Sequence, residues 1–372
     1  MKKTMLVVAL AALALGAACA TSCTNSSDRR EIFNVSYDPT RELYEDYNKL
    51  FAQHWLDKTG EAIEVEKSNG GSRAQARAVA SGLEADVVTL ALASDVDIVG
   101  AAGLLKEGAN DPASPDYWQK RLPNNSCPYS STIVLLVRKG NPKNVSGWDD
   151  LLRDDVKVVT PNPKTSGGAC WNYLAIWGHA LDKALADEGG LSAYTSESLD
   201  AEKKKAAEES AYEFVKKVFK NAAAQGMQSG ARGATDDFVK NKVGDVFIAW
   251  ENEAILAKIY SKNELEIVVP KLTIKAEPPV AVVDSVVDRK GTRDLAEEYL
   301  NFLYEPEAQE LIAKRHYRPS NPEILEKYKE DFPETTLFTI DEIFGGWVNA
   351  QKVHFDENAL YDQLTLENVK GE

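Results

Sequence analysis

Three short stretches carry residues suited to holding an anion: NGGSRA at 69–74, KTSGGAC at 164–170 and GARGATDD at 230–237. Each is small, polar and glycine-bearing, and each leads into a helix-like run. Helix starts present free backbone N–H groups and a partial positive charge, and glycine lets the backbone approach a ligand closely. Ser72 and Ser166 add hydroxyl donors. Taken singly, each stretch reads as well as an ordinary capped turn of an α/β protein, and periodicity does not bring the three to one place. None has the G-x-x-x-x-G-K-[ST] order of a nucleotide-binding loop.

Cys170 opens a second chemistry. It falls in the first turn of a helix-like run, where the dipole favours a thiolate nucleophile. A base to serve it is hard to find among His54, His179, His316 and His354. His179 follows nine residues later, roughly 900° around a helix and half a turn out of phase. HExxH, CxxC and G-x-S-x-G are absent, so neither metal ligation nor nucleophilic catalysis finds its partner groups.

The elements around these stretches alternate. EIFNVSY, IEVEKS, ADVVTLAL, SSTIVLLVRKG, VKVVTP, ELEIVVP and PPVAVVDSVV read as strands. Leu43, Tyr47, Leu50, Phe51 and Trp55 share one face of a helix, with Asp38 suited to its N-cap and Pro39 to its first turn. Ser72 and Gln75 have capping-box spacing. Residues 183–225 are mostly helical and highly charged, and amphipathic helices dominate from Thr292 onward. Strands alternating with helices predict an α/β fold with mainly parallel sheets.

A chain of 372 residues suggests about two domains, and 44% hydrophobic content supplies two cores. The net charge of −15, without a long basic stretch, argues against nucleic acid as a partner. A small anion stays compatible, because local dipoles outweigh distant, screened charge. Lys2 and Lys3 precede the apolar run MLVVALAALALGAA, a secretory signal too short to span a bilayer comfortably. Cys19 follows LGAA as a lipidated cysteine would, with Cys23 the second candidate; ordinary cleavage near Ala18 or Ala20 is the other reading. Residues 1–30 are therefore signal and tether, outside the fold.

The motifs NVSYDPTRELY, NGGSRAQA, ADVVTLAL, LPNNSCPYSSTIVLLVRKGNPK, TPNPKTSGGACWNYLAIWG, GARGAT, GDVFIAWENEA and LFTIDEIFGGW occur in that order between Ile32 and His354. Together they resemble the periplasmic sulfate- and thiosulfate-binding proteins of bacterial ABC importers. The resemblance implies a two-lobed type II periplasmic binding protein fold with the ligand cleft between the lobes. It assigns residues 31–128 and 277–372 to one lobe and 129–276 to the other. It also implies sulfate or thiosulfate as ligand, importer permease subunits as partners, no cofactor or metal, and no enzyme activity. The protein is expected to be an exported monomer, held to the membrane only by a lipid anchor.

Carried over motif by motif, the ligand set is the Asp38 backbone N–H, the Ser72 hydroxyl, donors from Ser166, Gly167 and Gly168, the Ala231 N–H and the Trp250 indole. All are neutral donors. Sulfate carries no proton at neutral pH and only accepts, whereas monohydrogen phosphate would leave its proton without an acceptor. Read from the sequence alone, Asp38 fits a plain N-cap, and Trp250, with Phe247 in a buried strand, reads as core; the resemblance alone makes it a donor. Lys164 becomes a bystander. Cys170 stands where the resemblance implies an arginine, and Cys127 where it implies a small residue. Two cysteines in an exported chain suggest a Cys127–Cys170 disulfide near the hinge, with two unpaired buried thiols as the alternative. Loss of the arginine implies weaker long-range attraction for the anion. The competing functions are binding of another tetrahedral oxyanion, molybdate or phosphate, and a secreted hydrolase or transferase using Cys170.

Overall fold

The computed structural model describes residues 29–370, so Cys19 and Cys23 lie outside the described residues. The chain opens on β1 (Arg30–Tyr37), and the single helical turn Asp38–Thr40 leads into α1 (Arg41–Thr59). Leu43, Tyr47, Phe51 and Trp55 form the buried stripe of α1, as their spacing requires. Next come β2 (Ile63–Gly70), α2 (Ser72–Ala80), β3 (Val87–Thr89), α3 (Ala93–Ala101) and the short α4 (Pro123–Ser126). The long β4 (Tyr129–Arg138) is followed by β5 (Val158–Val159), α5 (Gly167–Ala184), α6 (Leu191–Tyr194), α7 (Ala201–Ala223) and α8 (Ala231–Val239). Then β6 (Val246–Trp250) and α9 (Glu251–Tyr260) precede β7 (Leu265–Val268), β8 (Leu272–Ala276) and β9 (Val280–Val282). The remainder is α10 (Asp284–Lys290), α11 (Arg293–Phe302), α12 (Pro306–Lys314), β10 (Arg318–Pro319), α13 (Pro322–Lys327), β11 (Thr336–Phe338), α14 (Ile340–Phe344), α15 (Gly346–Ala350) and α16 (Leu360–Lys370).

These strands form two sheets. The first has the order β2-β1-β3-β9, parallel except for β9. The second has the order β11-β8-β4-β6-β5, with β7 and β10 also paired to β4. The expectation of mainly parallel sheets holds for the first sheet only. In the second, β4 pairs antiparallel with β6, β7, β8 and β10, leaving β5–β6 and β11–β8 as the parallel pairs. β4 leads the chain out of the first sheet, and the strands it pairs with run back along it. Two apolar runs also form shorter strands than expected. Only Val87–Thr89 of ADVVTLAL is strand, and PPVAVVDSVV divides into β9 and the start of α10.

The chain passes between the sheets three times: into β4, between β8 and β9, and between β9 and β10. A buried ion pair ties the end of the third passage to the start of α9, with Arg318 Nε and Nη2 each 2.8 Å from an oxygen of Glu251. The C-terminal segment departs from the expected division. β11 pairs with β8, α16 packs on α7, and Tyr173 of α5 meets His354, Phe355 and Tyr361 edge-to-face. Residues 336–370 thus pack with the second sheet, although the sequence reading put them in the first lobe. Their aromatic side chains bury against the apolar face that α5 and α7 offer.

Candidate functional site

The three glycine-bearing turns meet. A Cβ at Gly71, the residue before α2, would lie 3.1 Å from the Thr165 carbonyl and 3.9 Å from that of Ser229. A Cβ at Gly167 would lie 3.0 Å from the Ser72 Cβ, 3.1 Å from Leu92 Cγ and 3.2 Å from the Ala91 Cβ. At Gly230, immediately before α8, the nearest atom would be Asp38 Oδ2 at 3.2 Å. The starts of α2, α5 and α8 and the turn after β1 therefore surround one point. At each of these glycines a side chain would crowd the facing segment.

None of the three helices is capped by its own N-cap side chain; the N-caps are Gly71, Ser166 and Gly230. Side-chain caps are present on α7 (Asp200), α13 (Asn321) and α14 (Thr339); helices such as α1, α3, α9 and α11 also have none, so α2, α5 and α8 are set apart by meeting one another. The free first-turn N–H groups of α2, α5 and α8 are thus brought together. Two local expectations fail. Asp38 begins a separate helical turn and does not cap α1, whose N-cap is Thr40. Ser72 and Gln75 form no capping box; Ser72 is the first residue of α2, and Gln75 donates to the Ser36 carbonyl and the Ser68 hydroxyl.

Two side-chain donors of the expected set, Trp250 and Ser72, have partners in the protein. The Trp250 indole donates to the Gly168 carbonyl at 3.2 Å, and a Cβ on Gly168 would lie 3.2 Å from the same nitrogen and 3.7 Å from Ser166 Oγ. Ser72 donates to the buried carboxylate of Asp95 and accepts the Ala91 N–H at 2.9 Å. Asp95 also receives Arg73 Nε at 3.3 Å, and Arg73 reaches Gln351 at 2.8 Å. Burial, opposed by Arg73 and Ser72, raises the Asp95 carboxyl above its ordinary range. On the opposite side Arg232 of α8 crosses to Glu42 of α1 at 3.0 Å. Beside them Glu253 is pushed up to about 7 by burial, with Arg232 opposing and Asp38 and Glu42 adding to the rise.

Cys127 and Cys170 are both buried and unpaired, so the expected disulfide is not formed. The two thiols have separate surroundings: Cys127 lies against the carbonyls of Asn125 and Glu277, and Cys170 against that of Pro163. Burial pushes the Cys170 thiol up to about 12, against the pull of the nearby Arg73 guanidinium. Lys164 turns to Asp362 at 2.8 Å and to the Phe355 carbonyl, on the C-terminal segment.

The family model described as bacterial extracellular solute-binding protein matches residues 34–318. The chain belongs to this family. Within it, the chain is 50% identical to the sulfate-binding protein of Escherichia coli over 336 residues, covering 90% of this chain and 93% of that one. It is 41% identical to the thiosulfate-binding protein of Pseudomonas aeruginosa, covering 96% and 97%. Among solved structures, the sulfate-binding protein SubI from Mycobacterium tuberculosis superposes with a TM-score of 0.71 at 29% identity, covering 88% of this chain and all of that one. The solute-binding protein has the two-lobed periplasmic binding fold. Sequence reading singled out the three turns by their glycines without bringing them together, and it did not single out Arg73, Asp95 or Glu253. The fold buries all three charges.

Proposed function

We propose that this solute-binding protein encloses a fully ionised tetrahedral oxyanion, sulfate or thiosulfate, between its lobes and delivers it to the permease of an ABC importer. The observation that carries the reading is the convergence of three helix starts, Gly71–Ser72, Ser166–Gly168 and Gly230–Ala231, with no capping side chain of their own. Their aligned N–H groups and dipoles stabilise an anion, and donors fixed by the fold lose little entropy on binding. The names of the most similar relatives support the choice of anion.

In this reading Asp38, Gly167, Gly168 and Ala231 act through backbone N–H groups, Ser72 and Ser166 through hydroxyls, and Trp250 through its indole. Ser72 and Trp250 exchange their protein acceptors, Asp95 and the Gly168 carbonyl, for the anion. Because donors sit on both lobes, the anion completes its shell only when the lobes are together, and binding favours closure. The buried Cys170 thiol, held far above neutral pH, supports binding without chemistry on the ligand. The exported protein acts as a monomer, anchored by lipid on Cys19 or Cys23. Calorimetric titration with sulfate, thiosulfate, molybdate and phosphate tests the reading. Heat with sulfate or thiosulfate is expected, and silence with both, or tighter binding of molybdate or phosphate, refutes it.

A further inference from the structure

Ser72 owns one proton, and the fold has a use for it already. Its hydroxyl donates to Asp95 Oδ2 at 2.5 Å while its oxygen accepts the Ala91 N–H at 2.9 Å. Asp95 is completely buried in α3, and its second oxygen has Arg73 Nε at 3.3 Å. For Ser72 to donate to an anion, it must withdraw its proton from Asp95. A buried carboxylate is then left with one long contact, beside an incoming dianion. Both changes are unfavourable for an ionised Asp95.

A proton on Asp95 removes the conflict. The carboxylic acid donates its O–H to Ser72 Oγ, and Ser72 donates its own to the anion. Ser72 Oγ then accepts from Asp95 and from Ala91, which fills its two lone pairs. We propose that anion binding is coupled to protonation of Asp95, so the protein takes up a proton from solvent as the dianion enters the cleft. No bond in the ligand changes; the proton moves from water to Asp95 Oδ2 and offsets one of the two charges being buried. The inference rests on the reading of Ser72 as a ligand donor.

The surroundings of Asp95 are compatible with this role. Facing it are Ser72, Arg73 and Arg77 from α2, Asp97 from its own helix, and the neutral Cys170 thiol from α5. The neighbouring α15, Gly346–Ala350, brings no titratable side chain. Burial is the strongest influence on Asp95 and acts to hold the proton; Arg73 is the main opposing charge. Arg73 is itself shared, through Nη2, with Gln351. Cys170 is what makes this chain suited to the coupling. An arginine at that position would place a second cation beside Asp95 and hold it ionised.

Calorimetric titration of the protein with sodium sulfate, repeated in buffers of differing ionisation enthalpy between pH 5.5 and 8, measures the protons taken up. The expected result is an uptake between zero and one. Sulfate affinity should weaken by up to about tenfold per pH unit where Asp95 is ionised in the free protein and protonated in the complex. Asp95→Asn, whose amide can donate to Ser72 as the acid would, should bind sulfate with no proton uptake. Sulfate binding with no uptake anywhere in this range overturns the proposal, and the parent protein alone decides this if the variant fails to fold. Uptake that persists in Asp95→Asn places the proton elsewhere, Glu253 included, and overturns it too. Absence of sulfate binding altogether is a failure of the underlying reading instead.

Discussion

Gly167 at the start of α5 packs so closely on Ser72 at the start of α2 that a Cβ on the glycine would lie 3.0 Å from the serine Cβ. Leu92 and Ala91 would stand within 3.2 Å of the same atom, so no single neighbour can yield to make room. The contact joins the two lobes, and a methyl group there acts on closure more than on either core. Overpacking of this kind costs about 1–3 kcal/mol. Gly167→Ala should therefore weaken sulfate binding by roughly tenfold or more, with the melting temperature of the ligand-free protein nearly unchanged. Calorimetry alongside a thermal melt separates the two effects. Unaltered affinity would show that the lobes need not approach this closely.

Glu251 at the start of α9 and Arg318 of β10 form a buried ion pair, with both guanidinium contacts at 2.8 Å. Glu251 is completely buried, so removing Arg318 leaves its charge without compensation. Arg318→Ala should destabilise the protein by roughly 3–5 kcal/mol. Replacing both partners, as in Arg318→Met with Glu251→Leu, should lose distinctly less, because no charge is stranded. Urea denaturation of the single and double variants measures the difference. Equal losses would mean that the pair acts only through packing.

The legible parts of the sequence were those that encode their position locally. Glycine-bearing turns before helices stood out because glycine and small polar residues have few other reasons to cluster, and the α1 stripe followed from spacing alone. What could not be read depended on distant partners. Asp95 sits in ALASDVD, a run that offers no sign that its first aspartate is buried against Ser72 and Arg73. Gln75 has the spacing to serve Ser72, yet the parallel strands β1 and β2 offer it the Ser36 carbonyl and the Ser68 hydroxyl. The Cys127–Cys170 bond followed from composition and export, and failed because the fold surrounds each thiol with different neighbours. The C-terminal segment looked like any run of amphipathic helices; its place against Tyr173 depends on aromatic contacts that no local pattern shows.

Glu253 carries a pH dependence whose sign is fixed by its shift. Its folded-state value, about 7 against an ordinary 4.5, means that the folded protein holds this proton more tightly than the unfolded chain. The associated stability is fully present below the ordinary carboxyl value and is lost as pH rises through about 7. The loss amounts to at most roughly 3 kcal/mol. Glu253→Gln should match the parent near pH 4 and become the more stable protein by pH 8. Thermal melts of both across that range provide the test; taking their difference cancels the opposite trend from His354, held down to about 3 by burial. A difference that does not vary with pH would rule out Glu253 as the source.

Cys170→Arg tests how the site manages without the arginine that the family resemblance implied. Sequence reasoning expected this substitution to tighten binding by restoring a cation. The structure points the other way, because Arg73 already lies beside Cys170 and pairs with Asp95. Cys170 is itself completely buried. A second guanidinium there would be crowded and would face a like charge, with only Asp95 to share. Cys170→Arg alone should lower the melting temperature and weaken sulfate binding. Adding Arg73→Ala opens space and leaves one arginine for one aspartate, so the double variant should recover much of both losses. Melting and calorimetric titration of the parent, both single variants and the double variant complete the cycle. Purely additive effects would show that Arg73 and the residue at 170 do not compete for Asp95.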